Sequence, residues 1–142
     1  RAPTHPDPTA DRGRHRFTYA LLPHPGDFRQ AGVIEAGEDL NAPLRVVKGS
    51  LRAADGRSIV EVGTPQIVVE SIKRAEDSDA VIVRLYEAWG GRCRTRLRTT
   101  LPVRRAAICD LLERERSSVP VDRGELELEL GPFKIVTLKL ER

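Results

Sequence analysis

The 142-residue sequence predicts a mainly β fold, arranged as β-sandwich structure with one short helix. Strand-length runs rich in Val, Ile and Leu alternate with turn signals over most of the chain, which is typical of antiparallel sheets. Several runs alternate apolar and polar residues with a period of two, as half-buried strands do. A single stretch, residues 27–40, spaces its apolar residues as a helix does instead.

The N-terminal part begins with "RAPTHPDPTA", whose three prolines and lack of periodicity indicate an extended connector. "HRFTYALL" follows, and its alternation predicts a half-buried strand with Phe17, Tyr19 and Leu21 on the buried face. "PHPG" ends this strand. The helix is predicted in "DFRQAGVIEAGEDL", with Asp27 as its N-cap.

About six short strands are predicted between Gln66 and Leu140. "QIVVESIKRAEDSDAVIVRLYEAWGGRCRTRLR" is interpreted as a three-strand meander of two hairpins, with turns at residues 77–79 and at Gly90-Gly91. "RRAAICDLLE", "GELELELG" and "FKIVTLKLE" supply three more strands, and "RERSSVPVDRG" is interpreted as a loop. Residues 1–62 are therefore predicted to be the end of a larger β-sandwich whose other strands lie upstream, and residues 63–142 a small terminal β-sandwich.

The composition narrows the function classes. Since no apolar run approaches the roughly 20 residues that cross a bilayer, no membrane insertion is expected. The net charge of +3 is small beside the 24 basic and 21 acidic residues. The sequence therefore does not indicate the strong positive potential that attracts nucleic acids. Methionine is absent, and we expect the chain to be a fragment of a longer polypeptide.

Asp11 and the chain's three histidines, His5, His15 and His24, are the candidates for a metal site. Their spacing lacks the i, i+4 pattern of a helical zinc pair and the close pattern of a zinc finger. The alternative favoured by the sequence is structural: Asp11 and His15 bracket a turn at Gly13, and His24 closes the strand end with a side-chain hydrogen bond. No metal site is predicted.

Nucleophilic catalysis is not indicated either. Cys93 and Cys109 lie in predicted strands with no adjacent His and Asp, and a reactive thiol needs a base or a cationic environment. Both are predicted to be buried structural thiols in a reducing cytosol, although a cross-strand disulfide stays open. No serine stands in a GxSxG elbow, and no catalytic residue is predicted.

"RCRTRLR" places four arginines on one side of a strand, a pattern that could bind phosphates. "ELELEL" offers the complementary pattern, with glutamates on one side and leucines on the other. We predict that the two strands share a solvated face of paired opposite charges. Nucleic-acid binding stays the alternative, weakened by the absence of aromatic residues within the arginine run.

The opening "RAPTHPDPTADRGRHRFTYALLPHPGDF" resembles a segment of glycoside hydrolase family 38 α-mannosidases that reads approximately R-[SA]-P-x-x-P-D-x-x-x-D-x-G-x-H-x-F-x-Y-A-L-x-P-H. "DLNAPLRVV", the arginine region and the closing "GPFKIVTLKL" are similar to the C-terminal end of the same enzymes, especially their bacterial and cytosolic branch. Lys134 and Cys93 depart from the family pattern.

The resemblance implies a noncatalytic C-terminal fragment of a zinc-dependent retaining enzyme that hydrolyses α-mannosides in glycan catabolism. The nucleophile, the acid/base carboxylate and the zinc ligands would lie in an N-terminal catalytic domain outside this chain, so the isolated chain is expected to be inactive and to hold no cofactor.

The resemblance further implies that this fragment packs against its own catalytic domain and takes part in a cytoplasmic homo-oligomer, and that Arg1 lies at the rim of the substrate cleft. No nucleic-acid or membrane partner is expected. A stand-alone carbohydrate-binding module is a further alternative, for which Trp89, Tyr86 and Tyr19 are the aromatic candidates.

Overall fold

The computed structural model describes residues 5, 9, 12–46, 48 and 58–142. These residues form one helix and eight strands: α1 (Val33–Asn41), β1 (Val60–Val62), β2 (Ile67–Arg74), β3 (Val81–Glu87), β4 (Cys93–Thr99), β5 (Arg105–Cys109), β6 (Glu115–Val119), β7 (Glu125–Leu130) and β8 (Ile135–Glu141). The prediction of a mainly β sandwich with one short helix is confirmed. The chain divides into two compact units, Arg1–Ala42 and Pro43–Arg142. The boundary expected between residues 62 and 63 stays a prediction.

Two antiparallel sheets make up the second unit. The smaller sheet has the strand order β1-β4-β7, and the larger has the order β2-β3-β8-β5-β6. Each sheet turns one face inward, and the apolar residues of these faces form a single core, because alternate residues of a strand point to opposite faces. The side chains that are completely or almost completely buried include Val83, Leu85, Leu97, Leu126, Leu130, Leu138 and Leu140.

The register between β4 and β7 confirms the predicted pairing of the arginine and glutamate runs. Arg94, Arg96 and Arg98 lie opposite Glu129, Glu127 and Glu125, and the intervening residues of both strands are buried. Because one face of each strand supplies core residues, a slip of one residue would bury the charges.

One of the two predicted hairpins is confirmed and the other is wrong. β2 pairs with β3, and the turn between them is closed by a hydrogen bond from the Ala75 amide to the Ala80 carbonyl, 2.9 Å. β3 does not pair with β4 across Gly90-Gly91, since β3 lies between β2 and β8 and β4 belongs to the other sheet. The predicted meander is therefore absent, because the chain passes from the larger sheet to the smaller sheet between β3 and β4.

The predicted loop "RERSSVPVDRG" contains a strand. β6 pairs with β5 at the edge of the larger sheet, and only its last residue, Val119, is buried. Polar residues suit an edge strand because one of its sides meets solvent, so its sequence resembles that of a loop.

The first unit contains the predicted helix, although its start differs. α1 begins after Gly32, which adopts a left-handed conformation with φ of 67° and provides no side-chain cap. Asp27 is therefore not the N-cap: its carboxylate accepts a hydrogen bond from the Arg29 amide, 2.7 Å, and its carbonyl accepts one from the Ala31 amide. A separate turn thus precedes the helix.

The half-buried strand predicted in "HRFTYALL" is wrong for the chain by itself. Residues 14–24 belong to no strand or helix, and Phe17, Tyr19 and Leu21 are 79%, 86% and 90% exposed. The period-two pattern is present without a neighbouring strand among the described residues to pair with it.

Candidate functional site

The outer face of the smaller sheet carries a ladder of ion pairs between β4 and β7. The Arg98 Nε atom lies 2.8 Å from Glu125 Oε1, and the Arg96 Nε atom lies 3.3 Å from Glu125 Oε2. Further along, Glu129 lies 3.8 Å from both Arg92 and Arg94. Each of the four arginines lies within 4 Å of one of three glutamates, so most of the positive charge of this face is balanced within it and little remains for a polyanion.

A surface groove of about 440 Å³ runs along this face beside β1. It is lined by side chains of both charges, among them Glu61, Arg94, Arg96, Arg98 and Glu127. Its carboxylates lie among arginines, which is the arrangement of a solvated ion-pair surface rather than of an acid/base pair tuned for catalysis.

A buried carboxylate lies at the end of β3. Glu87 is fully buried, and its two oxygens accept four hydrogen bonds. Oε1 accepts from Gln66 Nε2 at 2.9 Å and from the Trp89 amide at 2.8 Å. Oε2 accepts from the Gly90 amide at 2.9 Å and from the Phe133 amide at 2.8 Å. We call these five residues the Glu87 cluster.

The electrostatics of the cluster favour the ionised carboxylate. Burial alone would raise the pKa of Glu87, but the hydrogen bonds from the Phe133 amide, the Gln66 side chain and neighbouring amides outweigh it and lower the pKa from 4.5 to about 2. A carboxylate with so low a pKa is not a general acid near neutral pH. The cluster instead ties the start of β2, the loop after β3 and the turn before β8 together.

The glycine in this loop is required by its neighbours. Gly90 has a φ of 75°, and a Cβ atom there would lie 2.7 Å from the Phe133 ring. Phe133 itself has a positive φ of 53° and remains largely exposed. A non-glycine residue in this conformation costs free energy, and the hydrogen bond to Glu87 holds it there.

Sequence reasoning missed the Glu87 cluster, although a signal for it was present. In "VIVRLYE", Glu87 has the same parity as Val81, Val83 and Leu85, all of which face the core. An acidic residue at a core-facing position, followed by Gly90-Gly91, indicates a carboxylate that is satisfied by loop amides.

A second polar cluster lies at the opposite end of the larger sheet. Glu113 is buried with a φ of 63°, and it accepts hydrogen bonds from Lys73 Nζ at 2.7 Å and from the Glu76 amide at 2.8 Å. The Lys73 ammonium and the Glu76 amide lower the pKa of Glu113, and Glu113 in turn raises the pKa of Lys73. Nearby, Lys139 pairs with Asp77 at 3.1 Å. The Glu113 contacts join the β2–β3 and β5–β6 turns, and the Lys139–Asp77 pair ties β8 to the β2–β3 turn.

Both cysteines are free and buried, as predicted, so the open alternative of a disulfide between them is not realised. Burial raises the pKa of each thiol, and the negative charge of Glu87 adds to the effect at Cys93. A raised pKa lowers the thiolate fraction, which makes these thiols poor nucleophiles.

The candidate metal-site histidines of the first segment, His5, His15 and His24, are all exposed in the structure. Arg1 and Asp11 lie outside the described residues. The Nδ1 atom of His24 lies 3.3 Å from the Pro25 carbonyl oxygen, a local contact just beyond the predicted end of the strand. In the described part of the chain, no three His, Cys, Asp or Glu side chains are grouped so that they could hold a metal ion. The helix of the described residues, α1, has nine residues, far fewer than the roughly 20 that a membrane span requires.

The two packed antiparallel sheets define the class of domain, a β-sandwich. Comparison with known proteins defines the family. Residues 66–138 match the model of the glycosyl hydrolases family 38 C-terminal beta sandwich domain. The chain belongs to this family, and the resemblance seen in its sequence is confirmed.

Curated relatives extend the similarity beyond the matched domain. The chain is 43% identical over 146 residues to "Alpha-mannosidase 2C1" of Homo sapiens, covering 99% of this chain and 14% of that protein. It is 30% identical to "Alpha-mannosidase G" of Dictyostelium discoideum, over 98% of this chain and 13% of that protein. An "Alpha-mannosidase" of Saccharomyces cerevisiae is 27% identical over 99% of this chain and 15% of its own length. The chain thus spans about one seventh of the relatives it matches.

Proposed function

We propose that this chain is the noncatalytic C-terminal part of a zinc-dependent, retaining α-mannosidase that acts on α-mannoside glycans. The observation that supports the proposal best is the 43% identity to an α-mannosidase across nearly the whole chain but only 14% of that enzyme. The chain covers one seventh of such an enzyme and its described residues group no three possible metal ligands, so it is expected to contribute packing and positioning.

Zinc and the two reacting carboxylates are proposed to lie in the preceding catalytic domain. The described residues do not fit a zinc site, because the clustered carboxylates are already bound by arginines, lysines or backbone amides. A retaining glycosidase needs two carboxyl groups about 5–5.5 Å apart on either side of the scissile bond. The paired acids of β7 project from one strand into a row of arginines and do not form such a site.

The role proposed for the chain is support of that catalytic domain and of a homo-oligomer. The second unit has a closed core and, on its smaller sheet, a charged outer face, which suits a rigid domain that packs beside a larger one. We also propose that Arg1 lies at the rim of the substrate cleft. A cytoplasmic location is proposed as well, and the two free thiols support it because oxidising compartments favour disulfides.

The test is the hydrolysis of an aryl α-mannoside by two matched preparations. The 142-residue chain alone is expected to show no hydrolysis with added zinc or cobalt. The same chain continuous with the preceding mannosidase polypeptide is expected to show metal-dependent hydrolysis, which a chelator abolishes. Zinc-dependent turnover by the clean 142-residue chain, abolished in His15→Ala or His24→Ala, would show that the site lies here and that the proposal is wrong.

A further inference from the structure

Phe133 occupies a turn position that disfavours its residue type. Residues 131–134 form a β-turn closed by a hydrogen bond from the Lys134 amide to the Gly131 carbonyl, 3.1 Å, and Phe133 has a φ of 53°. Proline at the second position and a positive φ at the third define a type II turn, which favours glycine or asparagine at the third position. A phenylalanine in this conformation costs free energy, which other contacts have to offset.

The sandwich itself buries little of Phe133. The residue is 70% exposed, although its ring lies over Gly90, where an added Cβ atom would come within 2.7 Å of it. The Glu87 carboxylate accepts a hydrogen bond from the Phe133 amide, 2.8 Å, and a backbone bond of this kind does not depend on the side chain. The ring is therefore held in one place and exposed, as an aromatic anchor of an interface is before it binds.

Further apolar residues lie at the same end of the larger sheet. Ile135 begins β8 and is 55% exposed. The register places it beside Tyr86 of β3, and Tyr86 beside Val68 of β2, and both of these are half-buried. Their neighbours along the strands face the core, so these three residues point to the outer face of the sheet. We call Phe133, Ile135, Tyr86 and Val68 the Phe133 patch.

The outer face of the smaller sheet has the opposite character. There, the arginines of β4 and the glutamates of β7 form ion pairs that solvent reaches. Covering such a face removes water from every charge, whereas covering an apolar patch is favourable. Of these two surfaces, the Phe133 patch is the better suited to contact with another part of the enzyme.

We infer that the Phe133 patch docks on an apolar surface of the mannosidase polypeptide that precedes this chain, with the Phe133 ring as the anchor. The inference rests on the proposed function, because it takes its partner from the longer enzyme. The relatives are about seven times longer than the stretch compared, and the matched family is a C-terminal domain.

The size of the patch favours this partner over a second copy of the chain. Four side chains are far fewer than the roughly 20 to 30 residues that each partner contributes to a stable interface between separate molecules. A partner in the same polypeptide has a high effective concentration at the patch, so a small contact is sufficient.

Hydroxyl-radical footprinting read by mass spectrometry tests the inference in the full-length mannosidase and in the 142-residue chain. Modification follows exposed area, so an anchor whose exposure falls from 70% to about 10% should react about sevenfold more slowly in the full-length enzyme. Ile59 is the matched control for Ile135, because it is 50% exposed and precedes β1 of the smaller sheet. Ile135 should become protected in the full-length enzyme and Ile59 should not; equal slowing of both would overturn the inference.

Phe133→Asn separates docking from folding. Asparagine tolerates the left-handed conformation, so the 142-residue chain with this substitution should unfold at a urea concentration no lower than the unsubstituted chain does. In the full-length enzyme, the same substitution should raise the modification of Ile135 to its rate in the 142-residue chain. Lys134→Asn, in the same turn, is the matched control and should leave Ile135 protected.

Each outcome decides the inference separately from the proposed function. Rapid modification of Phe133 and Ile135 in an active full-length enzyme would overturn the inference and leave the function standing. Slow modification in a full-length protein without mannosidase activity would support the docking surface and contradict the function. Slow modification that appears in the 142-residue chain alone and grows with its concentration would make a second copy the partner. A lower urea midpoint for Phe133→Asn would show that the ring serves the sandwich itself, and either of these last two results would overturn the inference.

Discussion

Glu87→Gln should destabilise the 142-residue chain by about 3 kcal/mol at neutral pH, because it removes a charge that four donors stabilise. The depressed pKa gives one route to this figure: a fall from 4.5 to about 2 corresponds to about 3 kcal/mol at 1.36 kcal/mol per unit. The hydrogen bonds give another. The glutamine amide would face two of the four donors with an N–H₂ group, and each buried donor left without an acceptor costs about 1–3 kcal/mol.

Urea unfolding followed by the emission of Trp89 measures the effect directly, since Trp89 is the chain's one tryptophan and its amide donates to Glu87. Glu127→Gln is the matched control, because Glu127 is exposed and lies 3.5 Å from Arg96, and it should cost under about 1 kcal/mol. Equal costs for the two substitutions would refute the structural role of the Glu87 cluster.

The pH dependence of the same measurement has a definite sign. The folded-state pKa of Glu87 lies below its unfolded value, so its contribution is present above about pH 4.5 and is lost as the pH falls toward 2. The difference in stability between the unsubstituted chain and Glu87→Gln should therefore narrow over that interval. A difference that stays constant from pH 6 to pH 2, on the order of 3 kcal/mol throughout, would contradict an ionised Glu87.

Two further predictions concern packing and backbone strain. Leu128→Ala should lower the free energy of unfolding by about 2–5 kcal/mol because it opens a cavity in the core. Arg96→Gln, on the opposite face, should lower it by under about 1 kcal/mol. Urea unfolding of both variants checks these values, and reversed costs would refute the register. Gly90→Ala should lower the melting temperature, since its Cβ would meet the Phe133 ring at 2.7 Å and its φ is positive. Gly131→Ala, where a Cβ meets nothing within 4 Å, should not, and calorimetry that shows equal shifts would contradict the explanation.

Local pattern predicted the strands of the sandwich better than their partners. The runs that became β2, β3, β4, β5, β7 and β8 were found because each carries apolar residues at strand spacing. The predicted pairing of β3 with β4 across Gly90-Gly91 was wrong. β3 has apolar residues on both faces, as a central strand does, and its two neighbours in the sheet are β2 and β8. Which sheet a strand joins is decided by closure of the core, and a local pattern does not contain that information.

The candidate site, too, was predicted from the sequence only in part. Alternation in "RCRTRLR" and "ELELEL" predicted the facing arginines and glutamates, because the pattern itself specifies the register once the leucines must be buried. The Glu87 cluster could not be assembled from pattern alone. Its donors come from three separate parts of the chain, and Phe133 lies 46 residues from Glu87.

Two segments with the same alternation, "HRFTYALL" and "ELELEL", end in opposite environments in the structure. Leu126, Leu128 and Leu130 are buried because β4 satisfies the backbone of β7 and the larger sheet covers its apolar face. Phe17 and Tyr19 are exposed although their own pattern is at least as apolar. Alternation therefore fixes which side of a strand is to be buried, while burial itself requires a second strand and a covering layer. Residues 58–142 supply both for β7, and the described chain supplies neither for residues 16–22, so the sandwich is expected to fold without any contribution from residues 16–22.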